Sequence, residues 1–189
     1  WGAYWTTNLA IHYTRGKGYY ENYKEDEPIE GYGNIEATEI VEDEDGNLVP
    51  GTDLIRQKWL DNHFYGTTFS TNYHRNNFDF ILGGGWNKYE GDHFGKVIWA
   101  RYASTSELGD KYYDDYGHKT DGNIFAKASY SFSSRLSLFA DLQYRSVNYK
   151  ANGVQANLVN DTFGFFNPKG GVTYKLSDKS TVFLSYARA

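Results

Sequence analysis

The chain has 189 residues, enough for one domain with a real core, and a formal net charge of −5. The acidic balance disfavours nucleic acid as a partner, because phosphate contact needs a basic surface, and the absence of Cys removes disulfides and thiolate metal sites. Aromatic residues make up 19% of the chain, yet mean hydropathy is only −0.69 and no stretch approaches the ~18 apolar residues of a membrane-spanning helix. Many Tyr and 20 Gly at modest hydropathy fit strands that are apolar on one side only.

In chain order, the elements carry a period-two signal. From Trp5 to Tyr13 one face carries Trp5, Thr7, Leu9, Ile11 and Tyr13, and the other Thr6, Asn8, Ala10 and His12. Residues 16–53 read as a long polar connection. Within it, Glu39–Val41 and Leu48–Val49 flank Asp45-Gly46, which reads as a hairpin turn. The acidic run Glu42–Asp45 lacks the ligand register of an EF-hand loop, so the hairpin is preferred to a calcium site. Tyr65–Tyr73 and Phe78–Trp86 form the second and third strands, joined by a tight turn at Arg75–Asn77. A second long connection spans 88–120. Asn123–Phe132 and Leu136–Arg145 follow, joined by Ser133–Arg135; residues 148–164 read as a third long connection. Phe166–Lys175 and Val182–Tyr186, joined by the short 176–180, complete seven strands.

Connections that alternate long and short separate a membrane barrel from a soluble sandwich. Outer-membrane barrels carry long external loops and short periplasmic turns, whereas long structureless loops are uncommon in compact domains. Aromatic placement agrees: Tyr65 and Tyr73 bracket one strand and Phe78 and Trp86 another, as interfacial girdles require. A single-chain bacterial barrel needs an even number of at least ~8 strands, and open edges are not tolerated in lipid. With neither an initiator Met nor a signal peptide at Trp1, the chain therefore reads as an excised piece of a larger barrel.

Leu82–Ser104 (LGGGWNKYEGDHFGKVIWARYAS), Asp53–Gly66 (DLIRQKWLDNHFYG) and Phe165–Ala187 (FFNPKGGVTYKLSDKSTVFLSYA) resemble the barrel of TonB-dependent outer-membrane receptors. The resemblance covers essentially the whole chain. It implies an all-β fold: an antiparallel up-and-down meander, part of a large transmembrane β-barrel of the 22-stranded type with a plugged lumen. It also implies that residues 1–189 are a partial barrel domain, with the plug domain, the TonB-contact segment and the remaining strands lying elsewhere. The partners implied are the lipid bilayer, the plug, TonB and a small-molecule nutrient ligand, and the location implied is the bacterial outer membrane.

No catalytic motif is present: there is no G-x-S-x-G, H-E-x-x-H or P-loop, so no catalytic residue, metal ligand or cofactor is expected. His12, His63, His74, His93 and His118 are scattered without ligand spacing. Trp99, Arg101, Tyr102, Tyr112, Tyr113 and Tyr116 set aromatics beside charges in an external stretch. This suits capture of a sugar or cyclic organic ligand; the other reading is self-packing of long loops, which need aromatics to fold over one another. Asp79, Lys127, Asp141, Gln143, Arg145 and Lys169, with Lys175, lie on polar strand faces and are expected to face the lumen. Their mixed signs argue against a strongly ion-selective pore. The function expected is energy-coupled uptake of a ligand captured by external loops, not enzymatic turnover. The rival readings are a passive porin and a soluble carbohydrate-binding β-module.

Overall fold

The computed structural model describes residues 2–33, 35–103, 108–154 and 157–188. It contains β1 (Trp5–Pro28), β2 (Glu39–Glu42), β3 (Leu48–Arg75), β4 (Phe78–Ala100), β5 (Lys111–Ser131), β6 (Leu136–Val154), β7 (Asn157–Ser177) and β8 (Ser180–Ala187). They form one antiparallel sheet in the order β1-β3-β4-β5-β6-β7-β8, with β2 paired to the upper end of β3. The seven-strand meander agrees with the alternation in the sequence, and β2 with β3 forms the hairpin expected at Asp45-Gly46. Asp43 closes that turn by accepting the amides of Asp45 and Asn47, at 3.0 and 2.8 Å.

Register joins the alternating rows into two continuous faces. Leu9 pairs with Phe69, Phe69 with Gly84, Gly84 with Ile124, Ile124 with Tyr144 and Tyr144 with Phe166. Directly opposed residues of an antiparallel pair project to the same side. The rows holding Leu9, Phe80, Leu138 and Val172 therefore make one apolar face, much of it exposed. Lys127, Asp141 and Lys169 pair in the same way on the opposite, polar face.

Two aromatic rows bound the apolar band. At the end with the short turns, rings touch in sequence across four strands: Trp5–Tyr73 at 4.8 Å, Tyr73–Phe78 at 6.1 Å and Phe78–Tyr130 at 6.4 Å. Tyr13, Tyr65, Trp86, Tyr144 and Phe166 form the far row, where Tyr65 and Trp86 lie 6.0 Å apart. Nine residues from Trp5 to Tyr13 or from Tyr65 to Tyr73 span ~26 Å along the strand, the run of a membrane-crossing β-strand. Just beyond the far row the same face becomes charged. Tyr65 donates to Glu90 at 3.0 Å, and Tyr13 shares a 2.8 Å hydrogen bond with His63. Lys17 pairs with Asp61 at 2.9 Å and Lys88 with Glu90 at 2.6 Å. Rings with an apolar body and a bonded polar tip belong at a membrane–water boundary.

The strands run far past this boundary, which corrects the expected loops. Of the long connections at 16–53, 88–120 and 148–164, most residues are strand: β1 continues to Pro28, β4 to Ala100 and β6 to Val154. The 28 residues of β3 span ~90 Å, several times what a bilayer requires. Above the membrane both faces of a sheet are wet, so alternation fades from the sequence while backbone pairing persists. Long connections remain after β1 and β4; the β6–β7 connection is short, since Val154 pairs with Asn157.

Glycines let rings settle on the polar face. A Cβ on Gly171 would lie 2.4 Å from the Phe139 ring, and one on Gly83 would lie 2.6 Å from the Phe125 ring. Gly171→Ala displaces Phe139, and overpacking of this kind costs about 1–3 kcal/mol. The denaturant midpoint in lipid vesicles should fall accordingly, and combining the change with Phe139→Ala should recover part of the loss.

Candidate functional site

The chain after β1 turns back over the polar face instead of projecting outward. Tyr32 and Ile35 bury against Leu54 of β3 and Val97 of β4, with Ile29, Ala100, Ala103 and Tyr112 around them. Beside this small core lies a cleft of about 770 Å³, walled by Tyr32, Tyr112, Tyr113, Arg56 and Lys58 and rimmed by the acidic turn Glu42–Asp45. Tyr32 and Tyr112 lie 4.8 Å apart; Tyr112 and Tyr113 meet edge-on at 5.0 Å. Both of the latter rings occupy the space a Cβ on Gly95 would need, so a bare backbone at that position seats the pair.

Glu27 ties the cleft floor together. It accepts from the Tyr32 hydroxyl at 2.6 Å and from Arg56 Nη1 at 3.3 Å, with Lys24 Nζ at 3.4 Å. Arg56 also donates to the Tyr32 hydroxyl and lies over its ring. Burial pushes the Tyr112 phenol up to about 12 and raises Tyr32 too, where the hydrogen bond to Glu27 adds to the effect. Both phenols are neutral hydrogen-bonding groups at physiological pH. The Tyr112 hydroxyl and Arg56 Nε are buried with no hydrogen-bond partner in the structure.

A second cluster fixes the β4–β5 connection. Asp53, 3% exposed, accepts the Asp26 amide at 3.0 Å and the Tyr23 hydroxyl at 2.7 Å, and pairs with Arg101 at 2.9 Å. The Tyr102 amide donates to Thr52 Oγ1 at 3.1 Å. The Asp26 amide, then the Tyr23 hydroxyl and the Arg101 charge hold the Asp53 carboxyl below its usual value. A carboxyl depressed on folding stabilises the fold fully above the ordinary carboxylate pKa of about 4, and that contribution is lost as pH falls through the lower folded value. Pepsin cleavage followed as the pH is lowered stepwise below the ordinary carboxylate value should therefore rise at this connection as Asp53 protonates. Asp53→Asn should already speed tryptic cleavage after the exposed Arg101 at pH 7, because the connection loses its anchor.

The two faces, the aromatic rows and the long wet extensions all describe transmembrane barrel wall, and a comparison with family profiles decides which kind. The profile described as "TonB dependent receptor-like, beta-barrel" matches residues 1–189. The chain belongs to the TonB-dependent receptor β-barrel family. A comparison with curated proteins gives no significant match. As a TonB-dependent receptor barrel the protein is an outer-membrane protein of a receptor and transporter family, not of an enzyme family. The soluble β-module reading is thereby replaced.

In this receptor barrel the six aromatic and charged residues singled out in the sequence do not form one site. Tyr112 and Tyr113 wall the cleft. Arg101 is held by Asp53, and the Tyr102 side chain is exposed at the tip. Trp99 opposes Ile55 on the other face, beside Tyr23 at 6.4 Å; Tyr116 sits on that face as well, 4.8 Å from His118. Sequence reading missed Tyr32, Glu27 and Arg56. The available signal was Gly31-Tyr32-Gly33, an aromatic between two positive-φ glycines in an otherwise polar stretch.

Asp79, Lys127, Asp141, Gln143, Arg145 and Lys169 do share one face. Lys127 and Asp141 are 3.5 Å apart, Asn167 donates to Gln143 at 3.5 Å, and Arg145 pairs with Asp121. Among the described residues, no three His, Asp or Glu side chains converge as metal ligands.

Proposed function

We propose that this receptor barrel takes up a small nutrient ligand in a TonB-coupled step, capturing it in the cleft between Tyr32, Tyr112, Tyr113 and Arg56. The observation that carries the reading is the side on which the cleft lies. It opens on the polar face, above the wall formed by Asp79, Lys127, Asp141, Gln143, Arg145 and Lys169, so a captured ligand stands over the barrel interior. The apolar face meets lipid, and the polar face meets the lumen and a plug domain. The tyrosines supply ring faces, and Lys58 supplies an ammonium group on the cleft wall. Trp99 and Tyr116, pointing away from the cleft, take no part in capture.

The test is solute depletion. Cells expressing the full natural chain should remove a particular solute from a defined medium, followed by mass spectrometry, and should stop doing so without TonB. Tyr112→Ala with Tyr113→Ala should weaken capture about tenfold or more, as loss of paired aromatic anchors does. Depletion that persists without TonB would establish the passive-porin reading instead.

A further inference from the structure

The outward continuation of the apolar face carries a feature that ligand uptake does not use. Tyr19, Trp59 and Phe94 lie in one cross-strand row: Tyr19 pairs with Trp59 and Trp59 with Phe94. Their rings touch in turn, at 4.4 Å and then at 5.9 Å with the planes 6° apart. Three ammonium groups stand over this ladder: Lys17 5.9 Å from the Trp59 ring, Lys96 5.9 Å and Lys111 4.2 Å from the Phe94 ring. Lys17 also pairs with Asp61 and Lys111 with Asp114, whereas Lys96 makes no ion pair among the described residues. Phe94 is covered, Trp59 is half-buried and Tyr19 is 52% exposed, so the ladder offers ring surface at its Tyr19–Trp59 end.

Height decides what this surface can meet. Trp59 lies six residues beyond Tyr65, ~20 Å along the strand and ~14 Å along the membrane normal at a tilt of ~45°. A phospholipid headgroup layer adds only ~5–8 Å to the hydrocarbon, so the ladder stands clear of it. It faces outward on the same strands and the same face as the lipid-contacting band, and between the two lie Arg15, Lys17 and Lys88 with their acidic partners. A group reaching it from the membrane must be a lipid head several sugar units long. Flat rings stack on the apolar faces of sugars, and clustered lysines match phosphate. We propose that the Tyr19–Trp59–Phe94 ladder, with Lys17, Lys96 and Lys111, binds the phosphorylated oligosaccharide head of an outer-leaflet glycolipid. The site is separate from the cleft on the polar face, and it depends on the apolar face meeting lipid.

The test uses the full natural chain in phosphatidylglycerol nanodiscs doped with lipid A that either carries or lacks a phosphorylated core oligosaccharide. Glycolipid retained per protein is read by native mass spectrometry. The parent should retain the core-bearing lipid about tenfold better than lipid A alone, whose diglucosamine lies at headgroup level, below the ladder. Trp59→Ala and Lys96→Glu should each reduce that preference several-fold, while Trp59→Phe, which keeps a ring, should preserve most of it. Equal retention of both lipids by the parent, or an unchanged preference in Trp59→Ala and Lys96→Glu, would overturn the proposal. Failure of the parent to enter nanodiscs of phosphatidylglycerol alone would instead overturn the lipid-facing orientation on which it depends.

Discussion

Replacing Leu82 by Arg should lower folding stability in lipid vesicles by about 2–4 kcal/mol, the cost of a guanidinium on the lipid face near the bilayer midplane. Leu82 lies midway between Phe78 and Trp86, in a central strand, and pairs with Thr71 and Ala126 on the apolar face. No acidic side chain lies opposite it to neutralise the new charge, and the aromatic rows at both ends leave no short route to water. Ser129→Arg supplies the control. Ser129 pairs with Asp79 on the polar face, where a cation gains a partner and the change should stay within about 0.5 kcal/mol. Equilibrium unfolding in urea, with membrane insertion measured in parallel, separates the two outcomes. Equal effects would mean that the two faces do not differ in environment, and the lipid-facing assignment would fail with them.

Leu54→Ala should cost about 2–5 kcal/mol, confined to the apex of the molecule. Leu54 is 0% exposed and packs with Tyr32, Ile35 and Val97, so truncation opens a cavity in a core too small to collapse around it. The rest of the sheet is held by long hydrogen-bonded ladders and does not depend on these contacts. The expected signature is local: amide hydrogen exchange rises sharply over residues 29–33 and 35–47 and stays unchanged in β6 and β7. Because Tyr32 walls the cleft, the same variant should lose ligand capture along with the loop. Global unfolding at reduced denaturant would show instead that the apical core stabilises the whole wall.

How much of this was legible in the sequence varied with the solvent around each segment. Between the aromatic rows one face meets lipid and the other does not, so period two was written into the residues and even the row containing Leu9, Phe69 and Gly84 could be assigned to one side. The tight turns read at Arg75–Asn77 and Ser133–Arg135 were equally clear, since only a few residues separate the alternating runs there, although Arg75 itself ends β3. Beyond Tyr13 and Tyr65 water bathes both faces. Glu21, Asn22, Tyr23 and Lys24 are strand residues that read as loop, because nothing forces an apolar residue into every second position.

The candidate site was the least legible part. Its residues come from β1, β3 and β5 and from the chain after Pro28, and no local pattern links Glu27 to Arg56 or Tyr32 to Tyr112. Trp99 and Tyr112 looked alike as aromatics beside charges, and only the register of β3, β4 and β5 sends them to opposite sides of the sheet. The amino-acid sequence alone determined the fold class, the order of the seven strands and the face that meets lipid, because each depends on side chains a few residues apart. Which upper residues continue as strand, where the apical segment folds back and which aromatics share a cleft were decided only by the tertiary structure, because those depend on backbone pairing and on contacts between residues far apart in the chain.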